Sequence, residues 1–419
     1  MDKIVIKGGA KLSGSVSASG AKNSVLPLMF STLLCDGEHE FSNVPKLADV
    51  HSACKLLSEL GAECKHDGTN MSISVSKAPS IEARYDLVRK MRASVLSLGP
   101  LLARYGEAVV SLPGGCAIGT RPIDLHIDGM KALGAEIEIK NGYVIAKGKL
   151  KGGNILFDTT TVGGTENVLM AAVLAEGVTY IENAAKEPEV VDLAEYLMKM
   201  GARIEGAGTS IIRVEGVKDL KAAKHKVIPD RIEAGTLLIA GAITGGKVRV
   251  NDCVPEHLDA LMAKMREAGF KFEVGDNFIE VQECQAWKGI DLTTTPHPGF
   301  PTDLQAQFMA LMTQAAGSSV ITESIFENRF MHVPELKRLG ANIQPKTRVA
   351  IVKNIEAPLK GAPVMATDLR ASASLVLAGL VAEGQTEVKR VYHLDRGYDD
   401  LEGKLRSLGA QVERRADDQ

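Results

Sequence analysis

The sequence predicts an α/β protein of two domains, each made of three copies of one α-β-α-β-β unit. Two series of glycines, helices apolar on nearly every face, and alternating segments around tight turns carry that prediction. Gly61, Gly134, Gly201, Gly269, Gly340 and Gly409 each follow a helical stretch, at spacings of 67 to 73 residues. Gly37, Gly106, Gly177, Gly245, Gly317 and Gly384 end apolar helices, at spacings of 67 to 72. Two independent markers with one period of about 70 residues define a repeat.

The elements follow in order. An opening strand, Lys3 to Val16, precedes any helix of its own unit, so the phase of the repeat assigns it to the last one. Each unit then begins with a buried helix, such as Ala371 to Ala382, which has no polar face to offer solvent. Glycine ends it, and a short strand follows, such as Ala108 to Leu112. The next helix is amphipathic: Val50, Ala53, Cys54 and Leu57 fall at i, i+3, i+4 and i+7. Glu136 to Ile145 alternates around Asn141-Gly142, a hairpin signal. The first buried helix begins near Ala21 and the fourth near Ile232. The expected domains are therefore 21–229, and 1–20 with 230–419, with crossings near Gly20 and Pro229 acting as a hinge and an active site in the cleft between the domains.

Composition narrows the function. The 419 residues are 45% hydrophobic and 24% charged, ordinary for a globular chain. A net charge of −3 speaks against nucleic acid held by counterion release, so any anion site must come from local clustering of cations. Six cysteines show no CxxC pair, and no histidine has metal-ligand spacing, so no metal is expected. Neither a signal peptide nor a membrane span is legible. A cytoplasmic enzyme with reduced thiols is the expectation.

The polar residues of the repeat cluster at helix starts and in post-strand loops. Helix starts carry Lys22-Asn23, Arg92, Thr161 to Thr165, Asp230-Arg231, Asp303, and Asp368 with Arg370. Loops carry Cys116 with Arg121, Glu187-Pro-Glu189, Glu327-Asn-Arg329, and His393 with Asp395-Arg396. Helix N-termini present backbone N–H groups and a positive dipole end, which suits a polyanionic ligand. Leu112 to Pro122 is a glycine-rich loop fit to act as a lid, and the nearby Arg121 favours the thiolate of Cys116. Each feature has a plainer reading. Asp303 and Asp368 serve equally as helix N-terminal residues, Lys22 and Arg92 as surface cations, and Glu187 and Glu189 as solvated loop carboxylates.

Taken together and in order, Lys22-Asn23, the Cys116 loop, Phe-Pro-Thr-Asp303, Phe326-Glu-Asn-Arg329-Phe, Thr-Asp368-Leu-Arg370-Ala-Ser and Asp395-Arg396-Gly-Tyr resemble the UDP-N-acetylglucosamine enolpyruvyl transferases over nearly the whole chain. The resemblance implies two inside-out α/β barrels, with helices inside and sheets outside. It also implies transfer of the enolpyruvyl group of phosphoenolpyruvate to the 3-hydroxyl of UDP-N-acetylglucosamine, the first committed step of peptidoglycan synthesis. No cofactor and no obligate protein partner are expected.

Residue by residue, the resemblance makes Cys116 the loop thiol that donates a proton and Asp303 the base facing the sugar hydroxyl. Lys22, Arg121 and Arg396 become the phosphate clamp. Asn23 joins them around phosphoenolpyruvate, and Arg329 and Arg370 lie near its carboxylate. The nucleotide falls to Asn23, Arg92, Arg121, Pro122, Ile123, Asp124, Leu125, Thr161, Val162, Gly163, Asp303 and Ile325. Thr159 departs from members that carry lysine there, and Thr161 from members with serine. Cys116, where some members have aspartate, implies sensitivity to fosfomycin. Two alternatives remain at this point: the sister enzyme acting on shikimate 3-phosphate, and a six-unit clamp encircling DNA.

Overall fold

The computed structural model describes residues 2–76, 80–88, 91–112, 123–354 and 357–417. Two compact units divide the chain. One comprises Gly20–Gly115 with Arg121–Ile228, and the other is built on Met1–Ser19 and Pro229–Gln419. Each has a hydrophobic core of its own, running from Val25 to Val227 in the first and from Ile4 to Val412 in the second.

Every glycine of both series has positive φ, between 65° at Gly245 and 128° at Gly37. The first series, with Gly106 and Gly245 of the second, takes the left-handed position just past a helix end, where glycine carries no Cβ penalty. Gly37, Gly177, Gly317 and Gly384 correct the reading of the second series: each lies three to five residues beyond its helix, where the chain turns into the next strand. Six buried helices result: Lys22–Ser31, Leu98–Tyr105 and Val162–Ala172 in the first unit, then Arg231–Ile243, Gln305–Met312 and Leu369–Val381 in the second. In Leu369–Val381 every residue from Arg370 to Leu380 is buried. Solvent is met by the sheets instead, through alternation such as that of Val178–Glu182, where Thr179 and Ile181 are buried and Tyr180 is exposed.

The described residues form six four-stranded sheets, three to a unit, and the sheets do not hydrogen-bond into a closed barrel. Each holds one strand more than the repeat predicts. In the second sheet of the first unit, Glu82–Ala83 runs parallel to Glu107–Ser111, which pairs antiparallel with Tyr143–Lys147 and through it with Glu136–Lys140. The extra strand precedes the buried helix, so the helix is the crossover of a β-α-β step. Asn141 at φ 53° and Gly142 at φ 79° make the hairpin turn.

The opening strand is a correction. Lys3 to Val16 is two strands in two sheets of one unit, because Gly8 and Gly9 turn the chain between them. A Cβ on Gly8 would lie 2.1 Å from the Ala382 carbonyl oxygen, so only glycine fits. Asp2–Lys7 pairs antiparallel with Gln385–Lys389 and with Gln411–Ala416, completing the last repeat. Ser13–Ser17 runs parallel to Lys247–Asn251 and serves the fourth. Lys224–Lys226 likewise returns to the first repeat, parallel to Gly37–Ser42. A second correction concerns the helix Ala48–Glu59, which buries Val50, Ala53, Leu56 and Leu57 while Cys54 stays partly exposed. No helix among the described residues is long and apolar enough to cross a membrane.

Candidate active site

In the first unit the helix starts are short of acidic groups. Lys22 opens its helix after Ala21, whose side chain offers no cap, and its Nζ lies 2.9 Å from Oδ2 of buried Asp49. Half-buried Asn23 follows, and Arg92 opens the 3₁₀ segment Arg92–Ser97 that leads into the second buried helix. Thr161 caps the third, its Oγ1 accepting from the Gly164 N–H at 3.1 Å. None of the three carries Asp or Glu in its first turn. These helix starts therefore meet no carboxylate from their own first turns, and Val162 and Gly163, as the first helical residues, have N–H groups without intrahelical partners.

A buried amide and imidazole organise this end. Asn167 donates to the Val95 carbonyl and to His126 Nδ1, both at 3.0 Å, while its Oδ1 accepts from the Gly99 N–H at 2.7 Å. Burial pushes the His126 imidazole down to about 4, with Arg92 adding to the drop, so it is neutral at pH 7. A Cβ on Gly163 would lie 3.2 Å from His126 Cε1, which brings helix backbone and ring together. Glu166 sits deeper, its carboxyl held well above the usual range by burial and by Glu189 and Glu187. Glu189 is itself only 3% exposed. The reading of Glu189 as a solvated loop carboxylate is thus overturned: it lies in the first turn of Pro188–Lys199, with its proline fixing the helix start rather than a loop. Ile123 is buried, Asp124 exposed and Leu125 half-buried at the start of Asp124–Ala132. Cys116, Arg121 and Pro122 lie outside the described residues.

In the second unit the helix starts are acidic. Asp230 caps its helix by accepting from the N–H groups of Ile232 and Glu233 at 2.8 and 3.1 Å. Asp368 does the same for Arg370 and Ala371 at 2.8 and 3.0 Å. Asp303 occupies the 3₁₀ turn Thr302–Leu304 ahead of Gln305–Met312 and does something else. Its Oδ1 accepts from Arg329 Nη2 at 2.9 Å and its Oδ2 from Arg370 Nη2 at 2.8 Å. Both guanidiniums are buried, at 5% and 3% exposure, and the Nη1 of each is enclosed with no hydrogen-bond partner among the described residues. A charged donor left so is costly, by about 1–3 kcal/mol or more, unless an acceptor arrives.

The surroundings fix this arrangement. Arg370 lies 5.5 Å from the centroid of the Tyr398 ring, and the Tyr398 hydroxyl meets Thr236 at 3.0 Å and Gln307 at 3.1 Å. Fully buried Glu323 accepts from Thr294 Oγ1, Thr302 Oγ1 and the Ile325 N–H, all at 2.9 Å, and from the Phe326 N–H at 3.2 Å. It thereby ties the Asp303 turn to the loop that delivers Ile325 and Arg329. Burial drives His332 down to about 4, Asp368 pulling the other way and Arg329 adding to the drop. Arg396 ends the 3₁₀ segment Val391–Arg396, which Asp395 anchors through two bonds to Arg414 at 2.6 and 3.1 Å.

The chain matches the family described as EPSP synthase (3-phosphoshikimate 1-carboxyvinyltransferase) over residues 6–405. It is 66% identical over 412 residues to the UDP-N-acetylglucosamine 1-carboxyvinyltransferase of Bdellovibrio bacteriovorus, covering 98% of this chain and 100% of that one. It is 59% identical over 418 residues to the enzyme of the same name from Myxococcus xanthus, covering 99% of both. The chain belongs to the UDP-N-acetylglucosamine 1-carboxyvinyltransferase family. Its fold matches the crystal structure of the enolpyruvyl transferase NikO from Streptomyces tendae, with a TM-score of 0.89 at 25% identity over 99% of this chain and 98% of that one. EPSP synthase from Acinetobacter baumannii, at 18% identity over 99% of this chain and 100% of that one, shares the fold with a TM-score of 0.76.

For a chain of this enolpyruvyl transferase family, the second unit gathers four of the expected residues, Asp303, Ile325, Arg329 and Arg370, through direct bonds or through Glu323. The first unit places Lys22, Asn23, Arg92, Thr161, Val162 and Gly163 at the starts of its three buried helices. Three organising residues escaped sequence reasoning: His126, Asn167 and Glu323. Their signal was present, as a polar side chain inside an otherwise apolar stretch beside a candidate. Family membership weighs against the DNA clamp, and the names of the curated relatives favour UDP-N-acetylglucosamine over shikimate 3-phosphate as acceptor.

Proposed function

We propose that the chain transfers the enolpyruvyl group of phosphoenolpyruvate to the 3-hydroxyl of UDP-N-acetylglucosamine and releases phosphate, serving peptidoglycan synthesis in the cytoplasm. The observation that carries this reading is the pair of buried guanidiniums, Arg329 and Arg370, each with an unpartnered Nη1 beside Asp303. They form a fork for a planar anion, and a carboxylate is the group such a fork binds in a bidentate way. The names of relatives 54–66% identical to the chain support the same reaction.

In this reading the substrate carboxylate takes the guanidinium donors, and Asp303, released from part of its pairing, accepts the proton of the sugar 3-hydroxyl. The hydroxyl oxygen bonds to C2 of phosphoenolpyruvate while C3 gains a proton, for which Cys116 is the donor. The tetrahedral adduct then loses a C3 proton and phosphate, restoring the double bond. Lys22, Arg121 and Arg396 hold the phosphate, with Asn23 beside it. The backbone at Thr161, Val162 and Gly163 receives the diphosphate, Arg92 and Ile325 lie by the sugar, and Arg121 to Leu125 line the uridine.

Phosphate release from phosphoenolpyruvate tests the proposal. It is expected with UDP-N-acetylglucosamine and not with shikimate 3-phosphate; release only with the latter overturns it. Fosfomycin is expected to add covalently to Cys116 in the presence of the sugar nucleotide. Intact-mass measurement reads the adduct, and an equal adduct on Cys116→Ser removes that role.

A further inference from the structure

Cysteines in the described chain fall into two environments. Cys35 and Cys253 are buried, and burial pushes both thiols up to about 11, which keeps them protonated and inert. Cys54 and Cys64 differ. Both are partly exposed and unbridged, and both line one open surface groove with His51, Lys55, Ser58, Glu59 and His66. Cys54 lies on the helix Ala48–Glu59 and Cys64 on the strand Ala62–Asp67 that follows it after a short turn.

The two thiols line one groove from adjoining elements, and the neighbouring Cys64 side chain lowers the Cys54 thiol, while Cys54 and burial raise Cys64. Cys54 is thus the more readily deprotonated of two thiols that share a groove with Lys55 and two imidazoles. Half-buried Cys284 has no such partner, its Sγ donating to the Ala286 carbonyl at 3.2 Å. A metal centre is the weaker alternative, since among the described residues no three ligating side chains converge on one point.

We propose that Cys54 and Cys64 form a redox-modifiable dithiol that a small disulfide such as oxidised glutathione converts to an intramolecular disulfide. The Cys54 thiolate attacks one sulfur of the small disulfide RSSR, forming a mixed disulfide and releasing RS⁻. Cys64 loses its proton, attacks Cys54 Sγ and expels the second RS⁻. Two protein thiols and RSSR become one protein disulfide and two RSH. Disulfides in reducing compartments are mostly transient and redox-sensing, which fits a groove open to small thiols. The tie joins the middle of the helix Ala48–Glu59 to the strand Ala62–Asp67. This site is independent of the transferase reading.

The experiment uses the full-length protein in graded reduced and oxidised glutathione, with cross-linked peptides mapped by mass spectrometry. A Cys54–Cys64 peptide is expected as the first intramolecular disulfide. Phenylarsine oxide, a bidentate dithiol reagent, is expected to bind at one equivalent against excess monothiol, and to be lost from both Cys54→Ser and Cys64→Ser. Reduced phosphate-release activity should be unchanged in both variants, which reports that they fold. Only mixed or intermolecular disulfides at these positions, or retention of the arsenical by the variants, overturns the proposal. The mapping on unaltered protein decides even where a variant misfolds.

Discussion

The two units use the same helix start in opposite ways. In the unit of Gly20–Ile228 the three buried helices begin at Lys22, Arg92 and Thr161, with no acidic residue in a first turn. In the other, Asp230 and Asp368 cap their helices from within, and Asp303 takes the corresponding place ahead of the fifth. One fold position therefore carries no first-turn carboxylate in the first unit and a carboxylate at each helix start in the second. In the proposed reading the second unit gathers its anion with side chains instead, through Arg329 and Arg370. A repeat fixes where polar groups stand, while the sign of each is set locally by what it must meet.

The comparison is sharpest at Asp303, the acidic residue whose carboxylate grips two arginines. Asp303→Asn keeps the shape and removes the proton acceptor. Turnover is expected to fall by about 10²–10⁴-fold, the usual worth of a positioned base. Phosphate release at saturating substrates reads it, and a loss confined to KM would make Asp303 a spacer between guanidiniums. Next in size is Arg370→Lys. A point charge replaces a planar fork, and one charge-assisted bond is worth about 1.5–3 kcal/mol. That corresponds to roughly 10–100-fold, expected in KM for phosphoenolpyruvate and not for the sugar nucleotide. An equal rise for both substrates breaks the assignment of the fork to the carboxylate.

How much of this was legible depends on length scale. The repeat could be read because every unit places two glycines at left-handed turns, one after its amphipathic helix and one between its buried helix and the next strand, and because helices such as Leu369–Val381 have no polar face to hide. The parallel edge strands could not, since three residues such as Asn154–Leu156 are too few to show alternation, and Leu156 is 69% exposed at the sheet edge. The Lys3–Val16 segment looked continuous because pleat alternation survives a two-glycine turn. Asp303, Arg329 and Arg370 could be singled out as charges at helix starts and loops. Their mutual bonding could not, because the contacts join residues 26 and 67 positions apart. Glu323, His126 and Asn167 stayed hidden for a related reason: a lone polar residue in an apolar segment carries meaning only once its partners are known.

A pH experiment probes the neutral side of the first unit. His126 is held at about 4 against an ordinary 6.5, so the unfolded chain takes up this proton first as pH falls. Stability is complete above about 6.5 and declines from there toward about 4. His126→Gln keeps an acceptor for Asn167 and removes the titration. The loss of unfolding free energy between pH 7 and 5, measured in urea, is expected to shrink by about 1–2 kcal/mol. An unchanged loss would mean that the imidazole titrates alike in the folded and unfolded chain, and so is not held neutral by burial.

The smallest effect separates the two units most cleanly. Thr161 and Asp230 are both N-cap residues accepting from helix N–H groups, at 3.1 Å in one case and 2.8 and 3.1 Å in the other. Thr161→Ala and Asp230→Ala should each cost about 1 kcal/mol of stability, since a lost cap costs that much whatever its charge. Their effects on substrate should differ. Thr161 caps a helix with no acidic residue in its first turn, so its loss frays the N–H groups proposed to meet the diphosphate, and KM for UDP-N-acetylglucosamine should rise a few-fold. Asp230 closes its own helix end, so its loss should leave that KM in place. If both variants raise it equally, the open helix starts of the first unit hold no nucleotide, and the contrast in charge between the units is a matter of folding alone.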